Sequence, residues 1–199
     1  MAPKATSRSV GRPREFNEVA ALEAAMDAFW AKGFEATSMA DLCTCTGLHK
    51  GSLYQAFGDK HTLFMNALAH YADSEFHETV GVMKETNTPF ENVRAVVNKI
   101  CEDASGAKGC MMINTMVELA PHDPAVKAAL QGFAEKRMQA ITEMIAAAQA
   151  SGEIKVQTEP HKLARQLMIT MAGGAAMVKG LLAPEDIYET IQDLIDSWA

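Results

Sequence analysis

The sequence predicts an all-α protein, with a small three-helix unit at the N-terminus and a larger helical body behind it. Three observations predict this. Apolar residues recur at helical spacing along most of the chain, and no stretch alternates polar with apolar as a half-buried strand would. Pro89, Pro124, Pro160 and Pro184 stand where the opening turns of helices fall, and Asn17, Asp59 and Asp123 stand where N-caps fall. The third is the stretch Ser38–Phe57, SMADLCTCTGLHKGSLYQAF, which reads as two short helices joined at Gly47.

At 199 residues and 48% hydrophobic the chain can bury a sizeable core. The first 14 residues are polar and basic without an apolar stretch, and no run is long and apolar enough to span a membrane. A cytoplasmic protein with no membrane partner is the expectation. The net charge is −7, yet residues 1–60 carry seven bases against seven acids, so the whole deficit lies in residues 61–199. Residues 1–14 hold four bases and no acid. A basic arm and a neutral elbow ahead of an acidic body leave a local footprint for nucleic acid despite the global sum.

In chain order, residues 1–15 are expected to form a mobile basic arm, discouraged from helix by Pro3, Gly11 and Pro13. Arg8, Arg12 and Arg14 could reach phosphates or an adjacent minor groove, or simply be solvated. Asn17 caps a helix to about Lys32, with Leu22, Ala25, Met26, Phe29 and Trp30 on one stripe and Gly33 as its stop. Thr37 or Ser38 caps the first arm of the elbow. Leu42, Leu48, Leu53 and Phe57 are expected inside it, leaving Lys50, Gly51, Ser52, Tyr54 and Gln55 outside. A helix with such a face suits the major groove of DNA, although any helical hairpin with a glycine turn shares the spacing. Asp59 caps a fourth helix, and Lys60 in its first turn opposes the helix dipole unless an anion joins it.

The segments GRPREF (Gly11–Phe16), FWAKGFEATSMADL (Phe29–Leu42) and TGLHKGSLYQAFGDKHTLF (Thr46–Phe64) together resemble the tetracycline-repressor (TetR/AcrR) family of bacterial regulators. The resemblance covers roughly the first third of the chain. It implies a helix-turn-helix DNA-binding domain at 16–60 and a helical ligand-sensing and dimerisation domain at 61–199. It implies Lys50, Ser52, Tyr54 and Gln55 at the DNA, with Thr37, Ser38, His49 and Lys60 at its backbone. His49 departs from the Ser or Thr more usual at that cap.

In the body, Pro89 opens a helix carrying Val93, Val96, Val97 and Ile100, and Gly106 and Gly109 follow it. Cys110–Leu119, CMMINTMVEL, is so apolar that a buried helix is expected. Asp123-Pro124 starts a long helix to about Ala150, and two more follow, Pro160–Leu182 and Pro184–Trp198. The last two carry apolar stripes. Leu167, Met171, Gly174, Val178, Ile191 and Ile195 are expected either to form a two-fold dimer interface, as the resembling family does, or to cover the chain's own core.

A small-molecule inducer is the expected partner of the body. Tyr71, His77, Met111, Asn114, Met116, Phe133 and Met138 are the candidate pocket residues, against plain core packing for the methionines. Cys43, Cys45, Cys101 and Cys110 leave a redox or electrophile sensor open, although a cytoplasmic setting favours free thiols. No zinc spacing, phosphate loop or nucleophile elbow is present, so no metal, cofactor or enzymatic activity is expected. The reading is a homodimeric transcriptional repressor released from a palindromic DNA operator by an inducer, with a helical enzyme or scaffold as the contrasting class.

Overall fold

The computed structural model describes residues 16–199 apart from Ala107, and every regular element among them is a helix. The helices are α1 (Glu18–Lys32), α2 (Met39–Thr46), α3 (Lys50–Phe57), α4 (Lys60–Gly81), α5 (Pro89–Ala104), α6 (Met111–Glu118), α7 (Pro124–Ala150), α8 (Pro160–Met177) and α9 (Pro184–Asp196).

Local chemistry explains where most of them begin. The side chains of Asn17, Ser38, Asp59, Thr88 and Asp123 each accept a backbone N–H of the first turn that follows. Ser38–Asp41 and Thr88–Glu91 complete reciprocal capping boxes. Proline opens α5, α7, α8 and α9, where its missing N–H costs nothing.

Two hydrophobic cores hold these helices. The first joins Ala25 and Phe29 of α1 to Leu42, Leu53 and Phe57 of the elbow. It continues through Phe64, Leu68 and Tyr71 of α4 to Met111, Val126 and Leu130. Phe29 meets Phe64 edge-on at 5.1 Å, and Phe34 meets the same ring at 5.0 Å. The second core is built from Val93, Val97 and Ile100 of α5, Ile141 and Ile145 of α7, Leu163 and Leu167 of α8, and Ile191, Ile195 and Trp198. The amides of Lys155 and Val156 donate to the Trp198 carbonyl, tying the α7–α8 connection to the C-terminal residues.

The structure departs from the sequence reading in three places. Helix α8 ends at Met177 rather than Leu182: the chain turns at Gly180, with φ 150°, and the Leu182 amide reaches back five residues to the Met177 carbonyl at 3.1 Å. Helix α6 is not buried all round: only Met111 and Thr115, one turn apart, face inward, while Met116 and Val117 are exposed. Helix α6 packs against α4, α7 and α8, with Met112 and Ile113 half-buried, and its remaining side faces solvent. Leu48 is half-buried at the corner of the elbow rather than enclosed within it.

Candidate nucleic-acid interface

The elbow is set by side chains that spend their polar groups locally. Ser38 caps α2, and its backbone N–H and hydroxyl donate to Asp41 at 2.9 and 2.6 Å. Lys32 donates to the other oxygen of Asp41 at 2.6 Å. The Lys32 ammonium, with Ser38, holds the Asp41 carboxyl well below the usual carboxylate range. Thr46 donates to the Leu42 carbonyl at 2.6 Å, and Gly47 turns the chain with φ 69°, a left-handed conformation that glycine adopts without a Cβ clash.

Helix α3 then presents two faces. Leu53 and Phe57 are buried against the elbow, while His49, Lys50, Gly51, Tyr54 and Gln55 are exposed and Ser52 is half-buried. The Lys50 ammonium lies 5.7 Å from the centre of the Tyr54 ring, so the cation and the aromatic share one patch. His49 is the N-cap residue, but its exposed ring makes no capping bond. Thr44 and Cys45 of α2 are exposed as well, and sequence reasoning did not nominate Thr44.

Thr37 corrects the expectation. It is 0% exposed, and its hydroxyl donates to the Gly33 carbonyl at 2.6 Å, so it closes the α1–α2 corner and offers nothing to a phosphate. Lys60 is half-buried with its ammonium 4.3 Å from the Phe34 ring centre, which answers the charge that the α4 dipole disfavours. Arg12 and Arg14 lie outside the described residues.

Side-chain contacts fasten this unit to the body, among them Lys108 donating to Asp27 of α1 at 2.9 Å. Glu118, at the end of α6, accepts the amides of Phe34 and Glu35 at 3.1 and 2.9 Å. Trp30 donates its indole N–H to the Gly109 carbonyl at 3.0 Å. Within the body, His61 at the start of α4 meets Asp123, the N-cap of α7, at 2.7 Å. None of these was legible in the spacing of the sequence, because each joins segments far apart in the chain.

In the body, the nominated pocket residues do not converge. Met116 and Phe133 line a cavity of about 130 Å³ together with Glu75, Cys110 and Arg137. Tyr71 is buried with its hydroxyl 3.8 Å from the Cys110 sulfur, and Met111 is core. His77 is exposed and bonded to the Asp73 carbonyl, Asn114 is held between the Lys108 carbonyl and Lys179, and Met138 lies in an open groove beside His161. A larger cavity of about 550 Å³ opens between α4, α5 and α7, and none of the nominated residues lines it.

The nominated dimer residues are corrected too. Leu167, Met171, Gly174, Ile191 and Ile195 are buried inside their own chain, leaving no surface for a copy, and Val178 is half-buried. A Cβ on Gly174 would lie 2.4 Å from Ile187 Cγ2, so this glycine lets α8 and α9 of one chain approach. The same helices and the connection between them expose Ile169 (67%), Leu181 (79%), Met177, Leu182 and Tyr188. All four cysteines are free thiols. Burial pushes Cys101 up to about 11 and raises Cys45 and Cys110, so these three are protonated at neutral pH, the less reactive form. Among the described residues no His, Cys, Asp and Glu group could hold a metal ion, and no helix is long and apolar enough to cross a membrane.

Comparison with known proteins decides what this frame is. Residues 21–67 match the tetR family of bacterial regulatory proteins, and residues 89–194 match the tetracyclin repressor-like C-terminal domain. The chain belongs to the TetR family. Over 170 residues, 83% of this chain and 81% of the other, it is 31% identical to the HTH-type transcriptional repressor ComR of Escherichia coli (strain K12). It is 32% identical over 127 residues, 64% of each chain, to the repressor BdcR of the same organism. Among solved structures it is similar to the TetR-family regulator CifR, a cysteine mutant in complex with 26-base-pair operator DNA. That likeness has a TM-score of 0.82 and 26% identity, covering 95% of this chain and 100% of the other. As a TetR-family member the chain is a DNA-binding transcriptional regulator and not an enzyme.

Proposed function

We propose that this TetR-family chain is a homodimeric repressor that acts in the cytoplasm. It grips a palindromic operator through α3 and is released when a small molecule occupies its body. The observation that carries the DNA reading is the two-faced α3: Leu53 and Phe57 anchor it while Lys50, Gly51, Tyr54 and Gln55 stand outward together. Gln55 has the donor and acceptor pair that reads an adenine edge, and Lys50 supplies the cation for a guanine edge or a phosphate. Ser52, Tyr54, His49, Ser38 and Lys60 are assigned to the sugar-phosphate backbone, and the arm with Arg12 and Arg14 to phosphates or the adjacent minor groove.

The dimer surface is assigned to the exposed side of α8 and α9, with Ile169, Met177, Leu181 and Tyr188 at its centre. Ile169, Met177 and Leu181 are exposed apolar side chains, and Tyr188 is exposed while its hydroxyl donates to Asn98. A two-fold axis there sets two α3 helices toward successive major grooves, about 34 Å apart. On this reading residues 16–60 bind DNA and residues 61–199 sense and dimerise.

The test is fluorescence anisotropy of the full chain with duplex DNA from upstream of its own gene, a scrambled duplex and two salt concentrations. Saturable binding to the native duplex alone, two chains per site and weakened by salt, is expected. Equal weak binding to both duplexes contradicts the operator assignment.

A further inference from the structure

The cavity of about 550 Å³ between the second half of α4, the start of α5 and the middle of α7 falls within the range of small-molecule sites. Phe76, Val80, Val96, Ile141 and Met144 make most of its wall apolar. Two polar features of that wall are unexplained by packing.

The first is Arg137, which stands on the wall of this cavity and also on that of the smaller one behind it. Its guanidinium lies 3.0 Å from the carboxylate of Glu75, a residue only 9% exposed. The carboxylate oxygen involved makes no directed hydrogen bond, so the pair has charge contact without good geometry. The second is Thr79, one turn beyond Glu75 on α4. It is 6% exposed and lines the cavity, and its hydroxyl has no hydrogen-bond partner. A threonine inside a helix commonly donates to the carbonyl four residues back, as Thr44 and Thr170 do here. Thr79 does not.

These facts constrain the charge of an occupant. Glu75 already answers the charge of Arg137. Lys84, Glu85 and Glu143 also line this cavity but are exposed to solvent, whereas beside Thr79 and Arg137 a ligand carboxylate would have to displace Glu75, stranding it buried without a counter-charge. A ligand ammonium at the same position would meet Arg137. An uncharged molecule pays neither penalty.

We propose that this cavity takes an uncharged, mostly apolar small molecule carrying one hydroxyl or carbonyl group, received by the Thr79 hydroxyl beside the Glu75–Arg137 pair. The proposal rests on the reading of the body as a sensor and names the chemistry of its ligand. The shared wall at Arg137 gives such a ligand a route to α6. Met112, Ile113 and Met116 line the second cavity, and Glu118 at the far end of α6 holds the α1–α2 corner.

The experiment is titration calorimetry of the full-length protein with 1-decanol, decanoate and decylamine, which share a chain length and differ in charge. One decanol per chain is expected, with decanoate and decylamine bound at least about tenfold more weakly. Thr79→Val should weaken decanol about tenfold while Thr79→Ser, which keeps the hydroxyl, should restore it. Decanoate or decylamine binding as well as decanol, a Thr79→Val variant that binds normally, or no binding by any probe overturns the proposal. Operator affinity is recorded separately by anisotropy. Decanol that binds through Thr79 without changing operator affinity upholds the ligand class and overturns the inducer reading alone.

Discussion

The carboxylate of Glu118 accepts the backbone N–H of Phe34 at 3.1 Å, and its second oxygen takes the neighbouring amide of Glu35. A side chain at the last residue of α6 thereby finishes the corner between α1 and α2, and hydrogen bonds to a charged group are stronger than neutral ones. Glu118→Ala is expected to lower stability by about 1–3 kcal/mol. Hydrogen exchange at the Phe34 and Glu35 amides should quicken more than at the α3 amides. Uniform quickening across the whole N-terminal unit would show that the contact is only one of many.

Gly51 sits in the first turn of α3, and a Cβ added there would meet nothing within 4 Å. Folding gains nothing from the glycine, since alanine is the better helix former by about 1 kcal/mol. Gly51→Ala should therefore raise the thermal midpoint, and on the proposed docking of α3 in the groove it should weaken operator binding, because the added methyl group would stand on the DNA-facing side. A variant both more stable and equally tight on DNA would remove Gly51 from the contact surface.

Lys50 and Gln55 are both exposed on α3 but differ in what they can read. Lys50→Ala is expected to reduce the slope of log affinity against log salt by about one unit, with little change in site preference. Gln55→Ala should cost about 1–3 kcal/mol against the matched site and relax preference at one base pair. Anisotropy on matched and mismatched duplexes at two salt concentrations separates them. Identical behaviour of the two variants would refute the division of labour.

Ile169 and Ile191 separate the outer face from the core. Ile169 is 67% exposed and Ile191 is 2% exposed. Ile169→Arg should leave a folded chain with unchanged helical content and half the mass in light scattering, whereas Ile191→Arg should prevent folding. A folded dimer from Ile169→Arg would move the dimer surface elsewhere.

Acid should unfold this protein through its helix caps. Lys32 and then Ser38 hold Asp41 below its ordinary value of 3.8, the Thr62 amide lowers Asp59, and the Val126 amide with His61 lowers Asp123. A depressed carboxylate favours the folded state above its ordinary value, and that contribution is lost as the pH falls through 3.8 and toward the lowered value. Stability from these groups should be level near neutrality and decline below about pH 4. Circular dichroism against pH measures it. Asp41→Asn, which does not titrate, should be less steep in that range, and an unchanged profile would show that Asp41 contributes nothing to it.

Much of the fold was legible because its signals are local. Asn17, Asp59 and Asp123 cap the helices their positions announced, and the four prolines open the helices they precede. The α2–α3 elbow was equally plain, since Gly47, Leu42, Leu53 and Phe57 fix its inside within twenty residues. Contacts across the chain were not legible. The stripe through Leu167 and Met171 looks the same whether it covers its own core or a second copy, and only the packing of α9 shows that it covers its own. Thr37 reads as a polar residue before a helix, and nothing nearby in sequence says that its hydroxyl turns inward to Gly33. The cavity at Thr79 and Arg137 is formed by three helices brought together from distant segments, whereas the methionines that drew attention are mostly packing.

The first hydrophobic core runs without a break from Ala21 through Phe64 and Leu68 to Met111 and Leu130. Cutting and splicing are therefore constrained. A chimaera that borrows only residues 1–60 for another sensor would leave Leu42, Leu53 and Phe57 facing foreign side chains where Phe64 and Leu68 now fill the space. Grafted parts must carry α4 through Tyr71, and a matching α6, to inherit a working head. In this chain the seam for recombination lies within the long fourth helix, past the point where the DNA-reading segment ends.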